Sequence, residues 1–106
     1  MLSVGAAGLM NAVGNLAPAR VAQLYDEVRK GNLAAARALH FELFELNQAI
    51  FLDTNPIPLK YMMSRLGLLD SPELRLPLVP LDEPRRQILD DVLCRAGLLQ
   101  AQGAAR

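Results

Sequence analysis

Few side chains in this sequence could do chemistry, and they are scattered. Lys60 is a candidate Schiff-base amine. That role needs an amine that loses its proton easily inside an enclosed pocket. On the first turn of a helix the same lysine can instead snorkel or meet an acceptor. His40 stands between Leu39 and Phe41 with no carboxylate or nucleophile in a recognisable arrangement beside it, so it reads as structural or surface. Glu42 and Glu45 are three apart, close enough for an acid/base pair, yet a solvated helix face accounts for them equally well. The single Cys94 excludes an intrachain disulfide, and its apolar helical setting predicts a buried, inert thiol. Gly5, Gly8 and Gly14 punctuate an apolar opening, but neither Gly-Lys-Ser/Thr nor a dinucleotide fingerprint follows. The residues themselves offer no catalytic set, metal ligands or cofactor motif.

Composition narrows the remaining classes. The 106 residues carry 11 basic and 11 acidic side chains, without the basic excess of a nucleic-acid binder. No apolar run is long enough to span a membrane, and the opening lacks the basic start of a signal peptide, so a cytoplasmic protein is expected. The 52% apolar content is largely Leu and Ala, which favours helix. Two Tyr and three Phe are too few for an aromatic β core.

The elements expected to position these residues form an all-α arrangement, a bundle of about four helices with a short N-terminal strand-like segment. Leu9-Met10-Asn11-Ala12-Val13 suits a buried strand, but a lone strand needs neighbours that this sequence does not obviously supply. A helix is expected over Pro18–Lys30, with Val21, Leu24, Tyr25 and Val28 as its stripe and Gly31 after its end. Asn32 should cap a second helix running to about Leu52. Its inner stripe is Ala36, Leu39, Leu43, Leu46 and Ile50, widened by Phe44 and Phe51.

The elbow Asp53-Thr54-Asn55-Pro56-Ile57-Pro58-Leu59-Lys60 must interrupt helix, because its two prolines lack N–H groups and restrict the residues before them. A third helix over Pro58–Leu66 ends at Gly67. Residues 68–81 form a proline-bound apolar strap that should lay Leu76, Leu78 and Leu81 along a hydrophobic surface. A fourth helix begins at the Asp82 cap and runs to Gly97. The tail 100–106 is expected to be disordered.

Gly5-Ala-Ala-Gly8-Leu-Met-Asn-Ala-Val-Gly-Asn15-Leu-Ala-Pro18 resembles the last barrel-strand region of the dihydrodipicolinate synthase / N-acetylneuraminate lyase family. Asn55-Pro-Ile-Pro58-Leu-Lys60, Leu66-Gly67-Leu68, Arg75-Leu-Pro77-Leu and Arg95-Ala-Gly97-Leu-Leu99 resemble that family's C-terminal helical extension, in the same order and spacing. The resemblance covers nearly the whole sequence but only about the last third of such an enzyme. It implies a TIM (β/α)8 barrel followed by a helical extension, with residues 1–15 ending the barrel and 16–99 forming the helical domain.

It also implies class I aldolase chemistry, with pyruvate held as a Schiff base on a lysine upstream of the matched region and an aldehyde as second substrate. The leading assignment is condensation with aspartate semialdehyde in lysine biosynthesis, by a homo-oligomeric enzyme. Lys60, Tyr25 and Tyr61 do not correspond to the family's catalytic residues, so these residues alone should be inactive. The resemblance carries substrate binding only to Met10, whose main-chain carbonyl would border the pyruvate pocket, and to Gly8 beside it. Asn55 and Pro56 would be structural.

Asn11-Ala12 departs from the Ser-Val common at that place in synthases. A sugar-acid lyase or dehydratase of the same family is therefore a further expectation, and a non-catalytic helical interaction module is the reading from a different class.

Overall fold

The computed structural model describes residues 1–100. It contains five α-helices: α1 (Pro18–Arg29), α2 (Leu33–Glu42), α3 (Phe44–Ala49), α4 (Ile57–Arg65) and α5 (Glu83–Arg95). Single turns of 3-10 helix at Leu2–Val4 and Ala12–Asn15 precede them. The expected tail lies outside the described residues except for Gln100. No described helix is long and apolar enough to cross a membrane.

Local signals set most boundaries. The Asn32 side chain accepts from Ala35 N at 3.3 Å, and Asp82 accepts from Arg85 N at 3.1 Å. Each supplies an acceptor to an N–H that the helix itself leaves free. At the other end of α4, Gly67 turns to φ +70°, so that its N–H reaches Ser64 O and the next N–H reaches Met63 O. Only glycine enters that left-handed region without a Cβ penalty. α1 and α5 close with the same pair of bonds around Gly31 and Gly97.

The stripe expected on the second helix is the core. Ala36, Leu39, Leu43, Leu46 and Ile50 are all buried, and Leu43, Leu46 and Ile50 join Val13, Leu16, Met62, Leu89, Val92 and Leu93 in one apolar cluster. The helix carrying that stripe is nevertheless two helices. Leu43 has ψ −8°, and its carbonyl accepts from both the backbone N and the side-chain Nδ2 of Asn47. A local side-chain bond of this kind competes with the helical ladder.

Other expectations are corrected. Phe44 and Phe51 do not widen the core arc; they are 46% and 78% exposed, and Phe41 is exposed too. The inner face was already filled by aliphatic side chains, leaving all three phenylalanines outside it. In the strap, Leu81 is buried and Leu74 and Leu78 are partly buried, but Leu76 is 87% exposed. A turn closed by Leu78 N to Arg75 O lifts Leu76 and Pro77 away from the surface. Cys94 is only partly buried, at the edge of the α4–α5 contact.

The strand-like opening forms no strand. From Gly8 to Asn11 it runs without helix, turn or bend, beside α1, with no strand to pair with among the described residues. Strand assignment requires a partner, so the local pattern alone could not produce one.

Candidate functional site

Gly8 and Met10 stand on that opening stretch. Tyr25, one turn before the end of α1, donates its hydroxyl to the Ala7 carbonyl at 3.3 Å. Asn11 has extended backbone (φ −147°, ψ 156°), and its side chain accepts from Gly14 N at 3.0 Å, capping the 3-10 turn Ala12–Asn15. That turn is anchored by Val13, which is fully buried, and is followed by the buried Leu16 and Ala17. The stretch therefore leaves a fixed base and is pinned again at Ala7.

Its side chains diverge. Leu9 lines an apolar groove of about 630 Å³ with Val21, Leu24, Leu43 and Phe44, and also a shallower hollow of about 450 Å³ with Gly8, Tyr25 and Pro18. Met10 lines neither and is fully exposed. Successive side chains pointing to opposite faces is the periodicity of extended chain. Nothing lies within 4 Å of a Cβ placed on Gly8.

The other candidates are placed apart from this stretch, except that His40 lines the same groove as Leu9. Lys60, on the first turn of α4, donates its Nζ to the Glu73 carbonyl and holds the strap. Its amine is committed to that backbone carbonyl, and Lys60 lines neither the groove nor the hollow beside Leu9. His40 is exposed, its ring edge-on to Phe41 with centroids 5.5 Å apart. Glu45 pairs with Arg95 of α5 at 3.1 Å, and Glu42 is exposed on the same helical stretch; they form no acid/base pair over a pocket. In the elbow, Ile57 N bonds to Thr54 O at 2.9 Å, and Asp53 meets Arg85 at 3.2 Å, which fixes the entry of α4 against the start of α5. Asn55 is exposed and Pro56 caps α4.

Sequence reading missed one polar cluster. Asp90 of α5 accepts from Arg65 Nε at 2.9 Å and from the Tyr61 hydroxyl at 3.2 Å. The Arg86 guanidinium lies 6.0 Å from the Tyr61 ring centroid, over its face. Burial, and then the Asp90 charge, push the Tyr61 hydroxyl pKa up, because both disfavour the phenolate. The bond that Arg65 donates to Asp90 raises the guanidinium's own pKa. The available signal was Tyr61 and Arg65 four apart on α4, which places both on one face toward the neighbouring helix. Among the described residues no group of three or more His, Cys, Asp or Glu is placed to hold a metal.

This arrangement of helices and open chain matches known proteins. The model of the dihydrodipicolinate synthetase family matches residues 1–96, and the chain belongs to that family. It is 43% identical over 99 residues to the 4-hydroxy-tetrahydrodipicolinate synthase of Nitratidesulfovibrio vulgaris (strain DP4), covering 93% of this chain and 34% of that one. It is likewise 43% identical over 97 residues to the synthase of Methanoculleus marisnigri, covering 92% and 33%. The crystal structure of the Thermotoga maritima dihydrodipicolinate synthase superposes with a TM-score of 0.88 at 41% identity, over 92% of this chain and 33% of that one. The Aquifex aeolicus enzyme gives 0.87 at 32%, over 94% and 34%. The chain thus spans about a third of the length of the relatives it matches.

Proposed function

We propose that this chain is the C-terminal part of a pyruvate-dependent Schiff-base lyase, a 4-hydroxy-tetrahydrodipicolinate synthase that condenses pyruvate with aspartate semialdehyde. Residues 1–15 would close the barrel, and 16–99 form its helical extension. The observation that carries this reading is the match of nearly all the described fold to solved synthases, together with the names of the relatives at 43% identity.

In the complete enzyme, a lysine outside these residues would condense with the pyruvate ketone and release water. The resulting iminium withdraws electrons from the adjacent methyl, which loses a proton to give an enamine that adds to the aldehyde carbon. Met10 is proposed to border the pyruvate pocket through its main-chain carbonyl, with Gly8 beside it. Its side-chain direction supports this. Leu9 faces α1, and in a (β/α) barrel the helices lie outside, which puts Met10 on the interior face.

Asn11 also weakens the sugar-acid lyase alternative. Its side chain is occupied in capping, so its difference from Ser need not report on the second substrate. A homo-oligomeric, cytoplasmic enzyme is the accompanying proposal. The uncovered apolar groove keeps the non-catalytic interaction module as the second reading.

The test is reductive trapping. The 106-residue chain, treated with pyruvate and borohydride, should show no mass gain, because Lys60 is engaged with the Glu73 carbonyl. A stable adduct on Lys60 would overturn the assignment of catalysis to a lysine elsewhere.

A further inference from the structure

The α1–α2 hairpin is joined to the rest of the chain by little. α1 has no fully buried residue, and of the whole hairpin only Val21 and Leu24, both partly buried, pack against the core cluster. Ala36 and Leu39 of α2 are buried but lie outside that cluster, so the hairpin keeps an apolar seam of its own. The radius of gyration is 15.3 Å, against about 13 Å for a compact chain of 100 residues. A body with a projecting arm has this excess.

Two features fix the angle of the hairpin. The first is Leu43, where the helix is interrupted at ψ −8° and the carbonyl accepts from Asn47 Nδ2 at 2.9 Å as well as from Asn47 N at 3.0 Å. A side chain that engages a ladder carbonyl lets a helix bend at that point. The second is Arg20, on the first turn of α1, whose Nη1 donates to Ala96 O at 2.8 Å. Ala96 closes α5, where the last carbonyls lack partners within the helix and form the negative end of its dipole, which suits a guanidinium. Among the described residues no other side-chain hydrogen bond or ion pair ties the hairpin to the elements beyond Leu43. The apolar groove spans the joint, with Leu24, Val28 and Ala36 on one side and Phe44 and Asn47 on the other.

We propose that the α1–α2 hairpin is an arm jointed at Leu43 and latched by Arg20 to the carbonyl that closes α5. The latch holds the arm at one angle and so sets the width of the groove. Its acceptor is in place only when the last turn of α5 is formed, which needs Gly97 at φ +67°. Fraying of that turn frees the arm. The end of α5 thereby controls a groove to which it contributes no residue.

Nitroxide labels on Ala34→Cys and Gln87→Cys, both at exposed positions, in a Cys94→Ser chain would report the arm's angle by pulsed dipolar spectroscopy. With Arg20 intact, one narrow distance distribution is expected. Arg20→Met keeps the aliphatic stem and removes the donor; it should broaden the distribution about twofold without loss of helical circular dichroism. Arg20→Lys still donates and should keep the narrow form. Gly97→Ala adds a methyl that meets nothing within 4 Å and strains only the turn. It should broaden the distribution as Arg20→Met does. Asn47→Ala lets the helix run on through Leu43 and should shift the mean distance.

A broad distribution with Arg20 intact overturns the proposal, as does an unchanged width in Arg20→Met or in Gly97→Ala. Equal broadening in Arg20→Lys and Arg20→Met overturns the latch, because a donated bond would not then be what holds the arm. An unchanged mean in Asn47→Ala overturns the joint. Should Arg20→Met lose its helical signal, Gly97→Ala decides by itself. None of these outcomes bears on the lyase reading, which pyruvate trapping tests separately.

Discussion

At the scale of single residues, Asp90 shows how a polar contact between helices is settled by what remains when it is removed. It satisfies the Arg65 guanidinium and the Tyr61 hydroxyl together, in a partly buried site. Asp90→Ala leaves both without that acceptor, and desolvated donors left unpaired cost about 1–3 kcal/mol. Urea unfolding should report a loss in that range; a change below a few tenths would mean that water replaces the carboxylate. The raised Tyr61 pKa adds a pH dependence. In the folded chain the hydroxyl keeps its proton at pH values where the unfolded chain releases it. This contribution is complete below the ordinary tyrosine pKa of 10.0 and is lost as pH rises through the folded value. The unfolding midpoint should fall above that pH, and Tyr61→Phe should flatten this part of the profile. An unchanged profile in the variant would assign the alkaline loss to other groups. Of this cluster only the four-residue spacing of Tyr61 and Arg65 was legible beforehand; Tyr61 and Asp90 are 29 residues apart and meet only through the packing of α4 on α5.

At the scale of elements, what the sequence made legible follows from how local the signal is. Helix caps and glycine stops involve neighbours within a turn, so Asn32, Asp82, Gly31, Gly67 and Gly97 could be read directly and are found in those roles. The Leu43 break is just as local, but it depends on which acceptor the Asn47 side chain chooses, and composition does not settle that. Strap burial depends on the surface beneath it, so Leu81 was readable as apolar but Leu76 could not be assigned outward from spacing. The role of Lys60 likewise came from tertiary placement. Lys60→Met keeps the aliphatic stem and removes the donor to Glu73. It should increase proteolytic cutting within residues 68–80 severalfold while leaving the helical signal unchanged; equal cutting rates would show that Leu74, Leu78 and Leu81 hold the strap by themselves. Asp82→Ala should cost about 1 kcal/mol through loss of the α5 cap, read in the same urea titration.

At the scale of the whole molecule, the balance of burial decides how independent this chain can be. Its core is a single cluster in a body with extents of 42 × 42 × 21 Å, thin in one direction. Native domains are stable by about 5–15 kcal/mol, and a slab with an apolar groove open beside Leu9 belongs near the lower end. Leu46 is fully buried at the centre of the cluster, and truncating such a leucine to alanine costs about 2–5 kcal/mol. From a starting value of about 5 kcal/mol, Leu46→Ala should therefore leave about 0–3 kcal/mol, so that the free chain loses its helical far-UV circular dichroism at much lower urea or temperature. Phe51→Ser, at a position 78% exposed, should change stability by no more than about 0.5 kcal/mol. If the rest of a barrel covers the groove, binding and folding are linked, and a partner at a hundredfold excess over its Kd restores about 2.7 kcal/mol. Leu46→Ala should then regain helical signal at that urea or temperature when the remaining part of the synthase is supplied. Recovery that follows partner concentration would place the stability of this chain in the docked assembly. A variant that keeps its helical signal there without the partner would instead show a self-sufficient helical domain and favour the interaction-module reading.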